Sequence, residues 1–170
     1  MNPLLANIIE NTEKHVPPKD ADEFHRIVLA GKKLIFDPKF HQNMELVKNP
    51  ASRQDPVHTI SNGVVGLMWM LYIHSNKSLH PTPLIMAGCI FMCEVYDFAE
   101  RSFNIQVTND VVANTWELTM DNMMKKLGVT QEALQTAINQ NAAKLQNGQQ
   151  QAPQEPQAVI LNAGQQGVQQ

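Results

Sequence analysis

The sequence lacks every short motif that would assign it to a familiar class of enzyme. It contains no G-x-G-x-x-G or G-x-x-x-x-G-K-[ST] loop for a nucleotide and no H-E-x-x-H motif for zinc. No serine lies in a G-x-S-x-G context. None of its six histidines forms an H-x-x-x-H pair. We therefore expect a protein that is not an enzyme, with no catalytic residue, no metal ligand and no cofactor.

Charge, aromatic residues and cysteine are also scarce. Charged residues make up 17% of the chain and the net charge is −3, whereas an average protein has about 25% charged residues. A nucleic-acid groove needs clustered Lys and Arg, so the composition argues against direct nucleic-acid binding. The two cysteines, Cys89 and Cys93, share one helix face. No second pair completes a four-ligand metal site, and we interpret both as core residues.

No apolar run has the length that a membrane-spanning helix needs, about 20 residues. The run from Gly63 to Ile73 is about half that length, and the run from Leu84 to Phe98 contains Glu94 and Asp97. The N-terminus has no basic region before its apolar residues, so we do not expect a signal peptide. These features favour a hairpin buried in a soluble protein over a membrane-active segment.

The stretch Asp55–Phe103 holds the two most apolar segments of the chain. The first runs from Val64 to Ile73 and the second from Leu84 to Val95, and a polar turn with two prolines separates them. A helix that is apolar almost all round is a buried helix. The pattern therefore predicts a buried helical hairpin over residues 56–101, around which the rest of the chain is organised.

Amphipathic segments on both sides of the hairpin complete an all-α bundle of about six or seven helices. Start signals in the chain are Asn2 before Pro3, Asp20 or Asp22, Asp37 before Pro38, Asp55 before Pro56, Thr108 and Thr130. Gly128 is the expected end of the helix that begins at Thr108. One continuous third helix is expected from residue 38 to just before Pro50, with Phe40, Met44 and Val47 on its apolar stripe. The expected organisation is an amphipathic arm over 1–16, a helical domain over 20–146 and a Gln/Pro-rich low-complexity tail over 147–170.

Two features of the predicted helices concern their contacts. Gly31 in the second helix, and Gly63 and Gly66 in the hairpin, leave notches where a partner can approach closely. The acidic residues Glu94, Asp97 and Glu100 recur every three residues, and we expect them to form one exposed face of the second hairpin helix. An acid–base pair or a cation site on this face is the less favoured alternative.

Several apolar side chains are candidates for contacts with other chains. The first amphipathic helix packs on its own domain or docks on a neighbouring subunit; both remain open. Met suits adaptable surfaces as well as irregular cores. The apolar island at 158–161 is a candidate anchor within the polar tail. The candidate interaction residues are Leu5, Ile8, Ile9, Met68, Met70, Trp116, Met120, Met124, Val159, Ile160 and Leu161.

A series of short segments resembles a known family. They are F-H-R-I-V-L-A-G-K-K from residue 24, N-G-V-V-G-L-M from 62, S-N-K-S-L-H-P from 75, P-L-I-M-A-G from 83, D-F-A-E from 97, V-T-N-D from 107 and K-K-L-G-V from 125. Over about residues 20 to 150 the chain is similar to small virion structural proteins encoded among the head and portal genes of short-tailed bacteriophages. The resemblance implies a non-enzymatic, multi-copy part of the particle and provides no site residues.

From this resemblance we expect a homo-oligomer that is made in the host cytoplasm and incorporated into the virion. Its partners would be portal, capsid or internal proteins. Candidate positions are the portal vertex, the capsid interior and the set of internal proteins ejected with the genome, which contact a membrane transiently. One alternative is a small holin-like protein with residues 63–95 as a membrane hairpin. Another is a soluble helical adaptor or inhibitor that binds a host protein.

Overall fold

Seven α-helices account for most of residues 1–128, the part of the chain that this computed structural model describes, apart from the side chains of His41 and Asn43. No strand occurs within that range, so the predicted all-α bundle is confirmed. The predicted helix after Thr130 and the tail over 147–170 lie outside the described residues. The helices are α1 Pro3–Lys14, α2 Ala21–Ile35, α3 Pro38–Asn43, α4 Glu45–Lys48, α5 Pro56–His74, α6 Pro81–Phe103 and α7 Asn109–Lys126, with short 3-10 helices at Pro18–Asp20 and Pro50–Gln54.

Side-chain caps fix the start of three long helices. The Asn2 side chain accepts a hydrogen bond from the Leu4 amide at 2.9 Å, at the start of α1. Asp55 does the same for His58 in α5 at 3.2 Å. Thr108 accepts from the Val111 amide at 3.3 Å and caps α7. These bonds satisfy amide groups that have no partner inside the helix, which is why the capping residues in the sequence predict the helix starts.

The helix α6 forms the centre of the bundle. Thirteen of its 23 residues are buried, and α1, α2 and α5 all pack against it. The helix α7 lies mainly on α5, and one hydrogen bond of 2.5 Å between the Tyr96 and Thr115 hydroxyls links it to α6. The predicted burial of the hairpin is therefore correct for α6. Much of its cover comes from helices of the same chain.

The helix α1 packs on its own domain, which was one of the two alternatives for this segment. Leu5 is fully buried, and Ile8 and Ile9 pack against the same core. The hydroxyl of Thr12 lies 3.5 Å from the sulfur of Cys89 in α6 and donates a hydrogen bond to it. This contact places Cys89 at the boundary between α1 and α6, whereas Cys93 is fully buried.

Two glycines allow the close approach of large side chains. A Cβ atom built on Gly31 would lie only 2.1 Å from the ring of Phe91. A Cβ atom on Gly88 would lie 2.5 Å from the sulfur of Met68. The notch predicted at Gly31 is therefore occupied, and it receives an aromatic ring of α6.

The prediction of a continuous third helix was wrong. The segment is divided into α3 and α4, because Met44 between them has an extended backbone with φ −62° and ψ 134°. The break brings Leu46 into the core, where it is 2% exposed. Arg53 then donates a hydrogen bond to the Leu46 carbonyl at 2.8 Å. The core contact of this segment is thus made by Leu46, and the continuous apolar stripe of Phe40, Met44 and Val47 that the sequence predicted does not form.

The expectation of an exposed acidic face on α6 was also wrong. Glu94 is 8% exposed and Asp97 is 2% exposed, and Glu100 is half-buried. The ammonium of Lys32 in α2 lies 2.6 Å from the Glu94 carboxylate, and Arg101 pairs with Asp97. Carboxylates enter a protein interior at a cost that ion pairs offset. Cations from α2 and from α6 itself make this burial acceptable.

The buried face of α7 includes threonines that the apolar pattern did not select. Thr115 and Thr119 are fully buried, whereas Trp116 and Met120 are half-buried. The hydroxyls of Thr115 and Thr119 each donate to a backbone carbonyl four residues earlier at 2.7 Å. Because this bond satisfies the hydroxyl locally, a threonine can face an apolar core.

Candidate functional site

The predicted interaction residues fall into three groups. Leu5 and Met68 are fully buried and fill the core of the bundle. Val159, Ile160 and Leu161 lie outside the described residues. The others are half-buried and lie on three different helices: Ile8 and Ile9 on α1, Met70 on α5, and Trp116, Met120 and Met124 on α7. The structure therefore does not bring the predicted set together in one place. Met70 lies on an uncharged surface of α5.

That surface is one exposed side of α5. We call it the α5 outer face, and it consists of Asn62, Gly63, Gly66, Trp69, Met70 and Ile73. Asn62, Gly63, Gly66 and Ile73 are exposed, and Trp69 and Met70 are half-buried. None of the six side chains carries a charge. The exposed side of a helix usually carries charged and polar residues, so this composition is unusual.

The two glycines of the α5 outer face have no packing partner in the described part of the chain. A Cβ atom on Gly63 or Gly66 would meet nothing within 4 Å. Glycine inside a helix costs about 1 kcal/mol relative to alanine, and here no contact within residues 1–128 offsets that cost. Protein interfaces are depleted in charge and enriched in Met and aromatic residues. The α5 outer face has this character together with room for close backbone approach.

One edge of the α5 outer face borders α7. The ammonium of Lys126 lies 5.6 Å from the centre of the Trp69 ring, within the range of a cation–π contact. The rings of Trp69 and Tyr72 are 5.7 Å apart. These contacts hold Trp69 at the border, so the uncharged strip from Gly63 through Gly66 to Ile73 is the accessible part.

A cavity of about 420 Å³ opens at the other end of this strip. It lies between α2, α3, α4, α5 and α6, and its lining is mostly apolar. Five of its side chains are at most 4% exposed: Ile35, Leu46, Ile60, Val64 and Leu67. Phe40, Met44 and Val95 add further apolar surface, and the remaining lining residues are Glu45, His58, Thr59, Asn62 and Gly63.

The polar residues of the cavity belong to its rim. His58 is exposed, and its ring Nδ1 lies 2.9 Å from the Asp55 carboxylate. The hydrogen bonds from the His58 side chain and backbone hold the pKa of Asp55 below its ordinary value. Glu45 accepts hydrogen bonds from Asn49 at 3.1 Å and Ser52 at 3.3 Å. Asn62 and Gly63 belong both to this rim and to the α5 outer face.

The histidines and cysteines do not form a metal site among the described residues. The ring of His80, which lies just before α6, bonds to the Glu23 carboxylate at 2.7 Å. Cys89 and Cys93 are free thiols. Within residues 1–128, no group of three or more His, Cys, Asp or Glu side chains could hold a metal ion.

The chain matches no protein-family model, and comparisons with curated proteins and with solved structures return no match. No residue role is therefore carried over from a relative. Sequence reasoning identified Gly63, Gly66 and Met70, but it missed the cavity. Its walls come from five helices, and no local pattern signals a space between such distant segments.

Proposed function

We propose that the protein is a non-enzymatic, multi-copy structural component of a bacteriophage particle, located at the portal vertex or in the capsid interior. The observation that carries the proposal is the α5 outer face, an exposed helix side without charge and with two open glycines. Protein interfaces are depleted in charged residues and enriched in Met and aromatic residues, and this face shares that composition. The resemblance to small virion proteins supplies the kind of assembly, and release with the genome belongs to the same proposal.

The partners in this proposal are further copies of the chain and the portal, capsid or internal proteins of the particle. The bundle supports an assembly role because α6 is already covered by α1, α2 and α5. The subunit thus has its own core and presents the α5 outer face to neighbours. A partner helix that crosses Gly63 and Gly66 can approach more closely than at any position with a side chain.

The experiment is quantitative mass spectrometry of purified particles from the phage that encodes the chain. We expect the protein in several copies per particle, with its abundance measured relative to the major capsid protein. A Gly66→Glu variant introduces a charge into the α5 outer face, and we expect at least a tenfold loss from particles, about 1.4 kcal/mol. The matched control is Ala113→Glu on the exposed side of α7, which should be incorporated normally.

Two results would contradict the proposal. If the wild-type protein is absent from washed particles, the chain is not a particle component, and an adaptor that binds a host protein becomes the better explanation. If Gly66→Glu is incorporated as well as Ala113→Glu, the α5 outer face does not make the contact. Circular dichroism of both variants verifies that a loss does not come from misfolding.

A holin-like membrane hairpin over residues 63–95 remains the second candidate. Although its apolar runs were expected to be too short, one helix of the described chain, Pro81–Phe103, is by length and composition able to cross a bilayer. However, 72% of its apolar window is buried inside the protein, which supports a role as a core helix. Membrane fractionation separates the candidates, because a holin remains with membranes and is missing from particles.

A further inference from the structure

We infer that the cavity between α2 and α5 is a binding site for a small, uncharged, apolar molecule that has a single hydrogen-bonding end, such as a long-chain alcohol or an aryl amine. This inference is independent of the proposed role in a particle. It rests on the size, the lining and the rim of the cavity, none of which the α5 outer face explains.

The size of the cavity suits a small-molecule occupant. A space of about 420 Å³ lies within the range of small-molecule sites, about 300–1,000 Å³. For comparison, an engineered cavity of about 150 Å³ is large enough to bind benzene.

The lining determines the chemistry of that occupant. Ile35, Leu46, Ile60, Val64 and Leu67 form deep walls that offer no side-chain hydrogen bond. Ordered buried water needs two to four polar partners, so water is poorly suited to this region. An apolar group fills the same space and gains dispersion contacts with every wall.

The rim determines the polar end of the molecule. Glu45 lines the rim, and its hydrogen-bond donors among the described residues are the neutral side chains of Asn49 and Ser52. Asp55 lies three positions before the rim residue His58, and its carboxylate is paired with the His58 ring. The nearby cation of Arg53 is directed toward the Leu46 and Val47 carbonyls and the Phe103 ring. A carboxylate head would meet like charge at Glu45, whereas an alcohol or amine can bond to the rim without repulsion.

Depth favours a small molecule over the surface of another protein. The five deep wall residues are at most 4% exposed, so they belong to the core of the bundle. A partner chain could reach them only with a single inserted side chain, whereas a slender molecule can pass the rim at Gly63. Gly63 is exposed, and the space beside its Cα is open, since a Cβ atom built there would meet nothing within 4 Å.

The test uses the full-length chain and the neutral fluorophore N-phenyl-1-naphthylamine. We expect saturable binding with one probe per chain by isothermal titration, and displacement of the fluorophore by decanol. Decanoate should displace it at about fivefold higher concentration, since repulsion by Glu45 is worth about 1 kcal/mol at the surface. All titrations are carried out below the solubility limit of decanol and below the concentration at which decanoate forms micelles.

A matched pair of variants locates the site. Gly63→Leu places a branched side chain at the rim, whereas Gly66→Leu adds the same group one turn away, outside the lining. Both positions have open space for the new side chain, so both variants should fold. We expect Gly63→Leu to weaken probe binding at least tenfold and Gly66→Leu to leave it within twofold of the wild type.

Three outcomes would overturn the inference. One is the absence of saturable binding by the wild-type chain. Another is equal binding by Gly63→Leu and Gly66→Leu, which would place the probe elsewhere. A third is a wild-type oligomer that Gly63→Leu, but not Gly66→Leu, converts to a monomer while probe binding stays unchanged. A neighbouring chain would then occupy the cavity in place of a small molecule. None of these results depends on whether the protein is found in particles.

Discussion

Glu23 on α2 holds the start of α6 through two hydrogen bonds to His80. Its carboxylate accepts from the His80 backbone amide at 3.0 Å and contacts the ring Nδ1 at 2.7 Å. His80 is the residue that precedes α6, and its own side chain does not cap the helix. A carboxylate from a different helix, 57 residues away in the chain, therefore holds the last residue of the hairpin turn by hydrogen bonds.

Replacing Glu23 with Gln should destabilise the protein by about 1 kcal/mol, the typical net value of a hydrogen bond. The His80 backbone bond and then its ring bond lower the pKa of Glu23. The stabilisation is therefore fully present above the ordinary Glu pKa, about 4.3, and is lost as the pH falls through the lowered value. Urea unfolding between pH 3 and pH 7 should show the two proteins converging in acid.

The control for this measurement is Glu10→Gln on α1. Glu10 forms an exposed pair with Lys14 at 2.6 Å, and such pairs contribute little to stability. Its unfolding free energy should remain within about 0.5 kcal/mol of the wild type. If Glu23→Gln and Glu10→Gln change the unfolding free energy equally, the Glu23–His80 contact contributes no more to stability than an exposed ion pair.

Two glycine substitutions should change stability in opposite directions. Gly31→Ala would place a methyl group 2.1 Å from the buried ring of Phe91. We expect a loss of about 1–3 kcal/mol from overpacking. Gly66→Ala meets nothing within 4 Å and should add up to about 1 kcal/mol through helix propensity. Thermal unfolding of the two variants checks both signs, and a stabilised Gly31→Ala would refute the close contact.

The ion pair between Lys32 and Glu94 should contribute more to stability than an exposed pair of equal length. Lys32→Met leaves a carboxylate that is only 8% exposed without its cation, although the Lys32 side chain itself is 39% exposed. We expect a loss of about 1–3 kcal/mol, most of which is recovered when Glu94→Gln is added. A double-mutant cycle by urea unfolding measures this coupling.

Lys14→Met provides the comparison for that cycle. The nitrogen–oxygen distance is 2.6 Å both in the Lys14–Glu10 pair and in the Lys32–Glu94 pair. However, both side chains of the Lys14–Glu10 pair are 64% exposed. Removal of the Lys14 charge should change stability by less than about 0.5 kcal/mol. If the two lysine variants are equally stable, burial of Glu94 does not strengthen its pair.

The two thiols should differ in reactivity. The hydrogen bond from Cys93 lowers the pKa of Cys89 against the opposing effect of burial, and a bond from Thr12 contributes in the same direction. The hydrogen bond to Cys89 and burial raise the pKa of Cys93. Since the thiolate is the reactive form, iodoacetamide should label Cys89 first at neutral pH. Peptide mass spectrometry measures the order, and Thr12→Val should slow the labelling of Cys89.

Local sequence signals predicted the ends of the helices well. Asn2, Asp55 and Thr108 cap the helices that they were expected to start, and Gly128 follows α7 with φ 71°. These features depend on groups within a few residues of each other. The apolar character of residues 84–95 likewise predicted burial, because a helix without a polar side has to be covered.

Contacts between residues that are far apart in the sequence could not be predicted from local signals. The burial of Glu94 depends on Lys32, which is 62 positions earlier, and no periodicity in α6 indicates that partner. The break at Met44 follows from the place that Leu46 takes in the core, a tertiary effect that overrides the local stripe. The cavity is a still stronger example, since it exists only in the arrangement of five helices.

The central position of α6 has a consequence for the motions of the molecule. Because α1, α2 and α5 each rest on this helix, its peptide groups become open to solvent only when several neighbours detach together. Deuterium should therefore replace the amide hydrogens of α6 later than those in the short α3 and α4. The order of exchange would trace the sequence in which the bundle comes apart, from its margins to its axis.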